Sequence, residues 1–404
     1  MQSVDSYLDE IFAAITPLPP EDLALTQAEG AVLAEDATAS WPLPGFDNSA
    51  MDGYAVIAAD VVSASEENPV TLPVDAEVAA GDTAAHALSP GHCIKIMTGA
   101  LLPAGADAIV PVEWTDDGRE TVTITKAAKQ GNAIRRAGDD AQAGDLLLPA
   151  GTRLGAAQIG VLAAAGHGTV RVRRRPRVTV ISTGNELAEP GSPLVPGRIW
   201  DSNSYMLAAA ARQAGCETTR HPTLPDEPDA VLAAIEQAAS TADLLMTSGG
   251  VSMGGEHDVV KAALTKLGSV GFRKVAMQPG MPQGFGLVGG GTKKTPIFTL
   301  PGNPVSAFVS FCLFVEPAAR VLQGLQVEPD SPVQARLAKP VTSPDGRRSF
   351  LRANLDRKAG SVTPLTGQNS HQIASLARAD ALIIVPEAVT SLPAGQTVDV
   401  LELP

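Results

Sequence analysis

The chain has 404 residues, more than one hydrophobic core organises, so two to four domains are expected. Its 38 glycines and 32 prolines favour many turns and small β-rich modules over long helices. A formal net charge of −14 argues against a nucleic-acid partner, whose phosphates need a basic face, and leaves any small oxyanion to be held by local groups.

Cys93, Cys216 and Cys312 show neither metal-ligand spacing nor a disulfide framework. The first residues lack the basic and apolar regions of a signal peptide. The longest apolar run, Phe308 to Val315, is far below the ~20 residues that span a bilayer. A soluble, cytoplasmic protein is expected.

Taken in order, Ser3 to Ala14 predicts an amphipathic helix, with Val4, Tyr7, Leu8, Ile11, Phe12 and Ile15 at helical spacing. Pro17, Pro19 and Pro20 end it. Thr26 and Glu29 fit a capping box, predicting a short helix that runs out near Ala34. Trp41 to Gly45 is an extended boundary. The stretch from Phe46 to Asp145 reads as mostly β. It opens on a polar cluster, Asp47, Asn48, Ser49 and Asp52, which is either an Asx turn or a set of groups facing a cleft. Lys95 to Ala100 is a strand that stops at Thr98-Gly99, and Val110 to Glu113 and Thr121 to Thr125 continue the β pattern. Arg135-Arg136 followed by Asp139-Asp140 is either a solvated turn or a source of cations for an oxyanion and a carboxylate for a metal. Leu146 to Leu148 and Ala156 to Ala165 return toward Thr26. The basic run Arg171 to Arg177 reads as a domain junction with a solvated face, the alternative of a nucleic-acid patch being disfavoured by the acidic whole.

Pro176 to about Gln323 reads as an α/β module. Val178 to Ile181 and Leu244 to Met246 are apolar runs of the kind that form buried strands. Each ends in a glycine-bearing loop, Ser182-Thr183-Gly184-Asn185-Glu186-Leu187 and Thr247-Ser248-Gly249-Gly250-Val251-Ser252. Asn203 to Ala214, rich in alanine, reads as the crossover helix of a parallel βαβ unit. In open α/β sheets ligands gather at the carboxyl ends of strands. A third strand, Ile297 to Leu300, leads into Pro301-Gly302-Asn303-Pro304-Val305-Ser306 and a buried helix over Ala307 to Val315. With Pro304 in the first turn, this helix start reads as an anion site for a phosphate-bearing ligand. The alternative is a tight turn capped by Asn303. Phe272 to Met277 precedes Gln278 to Gly286, and Gly289 to Gly291 is a turn. Val333 to Leu337, Phe350 to Leu355, Ala381 to Pro386 and Thr397 to Leu403 suggest a small β-barrel or sandwich.

The motifs FDNSAMDGYA (Phe46 to Ala55), STGNEL (Ser182 to Leu187), SGGVSMG (Ser248 to Gly254) and PGNPVS (Pro301 to Ser306) occur in this order. Together they resemble the molybdopterin molybdenumtransferases, the MoeA family, which include the E domain of gephyrin. The resemblance covers nearly the whole chain. It implies an elongated homodimer whose chain is α/β plus β. Its parts are an α/β molybdopterin-binding subdomain (1–26 and 172–326), a small linker and dimerisation subdomain (27–45 and 146–171), a β-rich subdomain (46–145) and a C-terminal β-barrel (327–404). It implies Mg²⁺-dependent insertion of molybdate into adenylylated molybdopterin with release of AMP.

Carried over residue by residue, the resemblance assigns catalytic roles to Asp52, Thr98, Asp140, Glu186, Asp226 and Asp258. Of these, Glu186, Asp226 and Asp258 are hard oxygen ligands suited to Mg²⁺ beside a diphosphate. Ligand-binding positions are Ser182, Thr183, Gly184, Ser248, Gly249, Gly250, Ser252, Pro301, Gly302, Asn303, Ser306, Lys274 and Arg352. Backbone N–H groups of such loops hold phosphate, and Arg136, Lys274 and Arg352 are cations available to molybdate. Gly346-Arg347 and Phe350 join Arg352 in a basic patch, with Ser370 and His371 in a later loop. Two departures stand out. Gln278 and Met281 occupy places where lysines of a KPGKP pattern are expected, and the approach to Asp258 is one residue longer than usual. A second reading follows from gephyrin: a dimeric scaffold that binds the peptide tail of a membrane or cell-division protein, with weakened or absent transferase activity.

Overall fold

The computed structural model describes residues 1–249, 259–267, 270–290, 293–327 and 332–403. The chain divides into two compact units, Met1–Asp22 with Gly30–Ala34 and Arg171–Pro404, and Leu23–Glu29 with Glu35–Val170.

The second unit is built on a five-stranded sheet in the order Ala108–Pro111, Gly53–Val56, Cys93–Ile96, Val70–Val78, Thr121–Ile124. Gly53–Val56 is buried along its length because both faces of the sheet are covered. Tyr54 and Val56 join one core with Cys93, Val110 and Val122, and Ala55 joins the other with Ile94, Ile96 and Ile109. The helix expected after Thr26 is reduced to a single 3₁₀ turn, Leu25–Gln27. Gly30 then takes a φ of +76°, a region glycine enters without strain. Val32 and Leu33, both buried, pair with Val172 and Arg173 as strand. Burial of this pair outweighs the local capping signal.

The first unit carries a six-stranded sheet in the order Glu217–Arg220, Arg177–Ser182, Leu244–Ser248, Thr295–Leu300, Pro282–Val288, Val270–Lys274. The first four strands are parallel, Pro282–Val288 runs opposite to them, and Val270–Lys274, antiparallel to Pro282–Val288, runs in the same direction as the first four. The single crossover expected between Val178 and Leu244 is in fact two. Asn203–Gln213 leads to the strand Glu217–Arg220, and the helix Pro228–Thr241 leads back to Leu244. Glu-Thr-Thr-Arg carries no apolar side chain, and as an edge strand it pairs on one side only, so hydrophobic patterning does not reveal it. The N-terminal helix Val4–Ala14 is capped by Ser3 Oγ and buries Val4, Tyr7 and Ile11; Tyr7 meets Phe314 edge-on at 4.9 Å.

Pro304–Ser310 opens a continuous helix to Leu322. By length and composition this helix could cross a membrane, contrary to the short run expected from sequence, but 67% of it is buried. Val305, Val309, Phe311 and Phe314 pack in the same core as the N-terminal helix. The arginine run is also more engaged than a solvated face. Arg174 makes a two-pronged contact with Asp243 (Nη2 to Oδ1, 2.9 Å), Arg175 pairs with Glu217 at 3.0 Å and Arg171 with Asp22 at 3.2 Å.

In the C-terminal region Arg348–Asp356, Ser361–Pro364, Val333–Leu337, Thr397–Glu402 and Ala381–Val385 pair in that order, and the first also pairs with the last. The strands thus close into a five-stranded barrel, which removes the sheet edge. Phe350, Leu376 and Leu382 of this region belong to the core of the α/β sheet, and Met277-Gln278 pairs with Arg348-Ser349. That shared core is why barrel and α/β sheet form one compact unit.

Candidate active site

Strand register places three loops side by side. Ser182 lies opposite Ser248, and Ser248 opposite Leu300, so the loops after all three strands leave the same end of the sheet. Gly249 N–H donates to Leu300 O at 3.2 Å. Gly249 has a φ of +90°, and a Cβ there would lie 3.1 Å from Thr183 O, so both the turn and the close approach call for glycine. Asn203, the first residue of its helix, joins the second and third loops: its Nδ2 donates to Ser248 Oγ and to Gly302 O, each at 2.7 Å. Ser182, Thr183, Ser248 and Ser306 are buried, while Gly302 and Asn303 are exposed. Gly250, Ser252 and Asp258 lie outside the described residues.

Asn303 does not cap the third helix with its side chain. Its carbonyl accepts from Ala307 N–H at 2.9 Å, and Val305 N–H donates to Ser370 O at 3.0 Å. One first-turn donor is therefore already engaged and Pro304 has none, so the anion-binding capacity of this start is smaller than the motif alone suggests.

The loop after Ser182 ties one of the expected acids, Asp226, to the residue next to another, Glu186. Asn185 N–H donates to Asp226 Oδ2 at 3.0 Å, and Asp226 N–H donates to Asn185 Oδ1 at 3.3 Å. Glu186 folds back over Gly184, where a Cβ would lie 2.6 Å from its Oε2. The same unit holds a buried polar network that sequence reasoning missed. Asp201, 1% exposed, accepts from Ser204 N–H (3.1 Å), Ser204 Oγ (2.6 Å), Thr223 Oγ1 (3.4 Å) and Ser182 Oγ (3.4 Å). Beside it Arg220 holds Glu189 with two contacts (2.9 and 3.0 Å) and Tyr205 O–H donates to the same carboxylate at 2.8 Å. These partners hold Glu189 below the usual carboxylate range, the Arg220 hydrogen bond foremost. The signal in the sequence was Asp201-Ser202-Asn203-Ser204, a polar start to an alanine-rich helix, which ordinarily reads only as a cap.

At the same end of the sheet, Lys274 is the exposed last residue of its strand and pairs with Pro282. Gln278 is exposed beside Ser349, and Met281 O accepts from Val275 N–H at 2.9 Å. Arg352 is not a surface cation. It is 1% exposed, and its Nη2 donates to Gly367 O (2.6 Å) and Asn369 O (3.1 Å). Its Nε and Nη1 have no hydrogen-bond partner among the described residues, and burial lowers its pKa. The loop it holds reaches the third helix through Ser370 O. Of the other expected basic-patch members, Phe350 is core, Arg347 is half-buried and His371 exposed.

In the other unit, Asp52 Oδ1 accepts from Thr98 N–H and Thr98 Oγ1, both at 2.7 Å. These bonds, the backbone one foremost, hold the exposed Asp52 carboxyl below its ordinary range. Asp47 accepts from Ala137 N–H at 2.9 Å and Arg136 Nη1 at 2.6 Å and is lowered likewise. Asp140 is exposed, whereas Asn48 and Ser49 are buried, so only part of the opening cluster is free to meet a ligand.

Comparison with known proteins agrees with these motifs along the whole chain. Residues 2–166 match the MoeA N-terminal region (domain I and II), residues 179–321 the probable molybdopterin binding domain, and residues 334–403 the MoeA C-terminal region (domain IV). The chain is 46% identical to molybdopterin molybdenumtransferase 2 of Mycobacterium tuberculosis over 410 residues, covering 100% of each. It is 37% identical to the Bacillus subtilis molybdopterin molybdenumtransferase over 388 residues, covering 94% of this chain and 89% of that one. The crystal structure of the molybdopterin biosynthesis MoeA protein from Pyrococcus horikoshii superposes with a TM-score of 0.77 at 34% identity, covering 98% of each chain. Full-length similarity to transferases does not favour the scaffold reading. The chain belongs to the molybdopterin molybdenumtransferase family.

Proposed function

We propose that the protein acts in molybdenum cofactor biosynthesis, taking adenylylated molybdopterin and molybdate and releasing AMP. The observation that carries this reading is the convergence of the loops after Ser182, Ser248 and Leu300, with Glu186 and Asp226 beside them. Such loops suit a phosphate-bearing ligand. In the reaction an oxygen of water or molybdate attacks the adenylyl phosphorus, the phosphoanhydride bond to the pterin phosphate breaks and AMP departs, while the dithiolene thiols displace molybdate oxygen as water and leave molybdenum on the two sulfurs.

Glu186 and Asp226 fit a hard divalent cation held by one or two carboxylates and the substrate's own phosphates; among the described residues no group of three or more His, Cys, Asp or Glu gathers to make a protein-only site. Mg²⁺ held there would neutralise charge on the diphosphate. The molybdate substrate is drawn to Arg352, whose unpartnered Nε and Nη1 are donors an oxyanion would satisfy, with Lys274 as a second cation. In the other unit Asp52, whose carboxyl accepts two hydrogen bonds from Thr98, and Asp140 are the further acids assigned to the reaction.

A homodimer is also proposed. Trp41, Phe46, Met51 and Leu101 are exposed around Asp47 and Asp52, and Val195, Ile199, Trp200 and Tyr205 are exposed around Glu186. Large apolar side chains grouped on a surface are typical of association sites, and a second copy of the chain would cover them.

Purified protein incubated with adenylylated molybdopterin, molybdate and Mg²⁺ should release AMP, and Asp52→Ala or Glu186→Ala should abolish it. AMP release untouched by either change rejects the assignment.

A further inference from the structure

We infer that Asn203 is a specificity-determining residue whose amide oxygen accepts a hydrogen bond from a ring N–H of the pterin. The inference rests on reading the three loops as the pterin-phosphate site. Asn203 is 9% exposed. Its Nδ2 donates to Gly302 O and Ser248 Oγ at 2.7 Å. A carbonyl can only accept, so the contact with Gly302 fixes which end of the amide is nitrogen. Both N–H protons are engaged and Oδ1 is the end left over.

That oxygen is buried and has no hydrogen-bond partner among the described residues. Nearby hydroxyls do not supply one. Ser182, Ser204 and Thr223 all turn toward Asp201. A buried acceptor without a donor is unfavourable, and it persists at a site where a ligand brings the missing proton. Phosphate and molybdate are acceptors when ionised and cannot serve. The pterin ring and the adenine amino group both carry N–H donors. Asn203, Ser248 and Gly302 all fall within residues 179–321, which match the molybdopterin binding domain, and this favours the pterin.

Binding of molybdopterin and, separately, of AMP should be measured for the wild-type protein, Asn203→Ala and Asn203→Asp, with thermal unfolding of each. Asn203→Ala should weaken molybdopterin by about 10- to 100-fold and leave AMP unchanged. Asn203→Asp retains an acceptor but not the two N–H donors, so it should fall between wild type and Asn203→Ala. Undiminished molybdopterin binding by Asn203→Ala overturns the inference. Equal weakening of both ligands, or Asn203→Asp no better than Asn203→Ala, leaves only a loop clamp and also overturns it. Independently of any variant, the wild-type protein should bind 6-carboxypterin more tightly than an analogue methylated at its ring N–H and amino positions, and equal binding would refute the assignment. A wild-type protein that binds molybdopterin but releases no AMP defeats the proposed reaction and leaves this inference standing; one that does not bind molybdopterin defeats both.

Discussion

Asn185 and Asp226 hold each other across two loops by reciprocal hydrogen bonds, 3.0 Å from the Asn185 N–H and 3.3 Å from the Asp226 N–H. The pairing occupies Oδ2 of Asp226 and ties this carboxylate to the residue next to Glu186. Asp226→Asn preserves an acceptor for the Asn185 N–H but removes the charge. It should fold normally, with a melting temperature within a few degrees of wild type, while AMP release falls about 100-fold and the Mg²⁺ concentration needed for half-maximal rate rises. Titrating Mg²⁺ against initial rate checks this, and an unchanged Mg²⁺ requirement removes Asp226 from the metal site.

A pH profile tests the Asp52–Thr98 pair. Because the folded-state pKa of Asp52 is lowered, chiefly by the Thr98 N–H and then by its hydroxyl, the ionised form persists below the unfolded value of about 3.9 and is lost as pH falls through the depressed folded value. Thr98→Val removes the hydroxyl donor and keeps the backbone one. It should move the acid limb of the rate profile upward, toward but not beyond the ordinary carboxylate range. A limb that does not move assigns that titration to another group.

How much of this was legible beforehand depended on where the deciding interaction lies. The strands at Val178, Leu244 and Ile297 announced themselves, since a strand covered on both faces must be apolar throughout. The edge strand Glu217–Arg220 was hidden because its ladder partner alone defines it. Thr26 and Glu29 satisfied a local rule that burial of Val32 and Leu33 overrode. In the site, Asp52, Glu186 and Asp226 stood out by motif. Asp201 and Asn203 looked like helix-start residues, because their partners Thr223, Ser248 and Gly302 are 22 to 99 positions away. Arg352 was picked out by the family resemblance, but its burial goes with its hydrogen bonds to the 367–369 loop, which no spacing encodes.

Asp243 links stability to pH. Burial alone would raise its pKa, but the hydrogen bonds from Arg174 and the Arg177 N–H together with both positive charges outweigh that and lower it. Its contribution is therefore present above the unfolded carboxylate value and disappears as pH falls through the folded one. Asp243→Asn should destabilise the protein by about 2 kcal/mol, below the ~3–5 kcal/mol of a fully buried pair because Arg174 remains about a quarter exposed. The loss should shrink in acid. Urea denaturation at neutral pH and at about pH 2.5, below the ordinary carboxylate value of about 3.9, checks both statements.

Arg352 separates stability from substrate binding. It is a buried cation with only Nη2 engaged among the described residues, and buried charges without a counter-charge are poor stabilisers. Arg352→Met loses two hydrogen bonds to Gly367 and Asn369 carbonyls but relieves an uncompensated guanidinium, so thermal stability should change by no more than a few degrees. The molybdate concentration required for half-maximal AMP release should rise at least tenfold, a loss of about 1.4 kcal/mol of oxyanion binding. Met281→Lys tests the same site from the opposite direction. Met281 sits in the loop that joins Lys274 to Pro282, and a cation there should lower the molybdate requirement through added attraction for a dianion. Steady-state titrations with molybdate on both variants settle the matter: if Arg352→Met raises the requirement and Met281→Lys lowers it, the oxyanion lies between them, and if neither moves it, molybdate is held elsewhere.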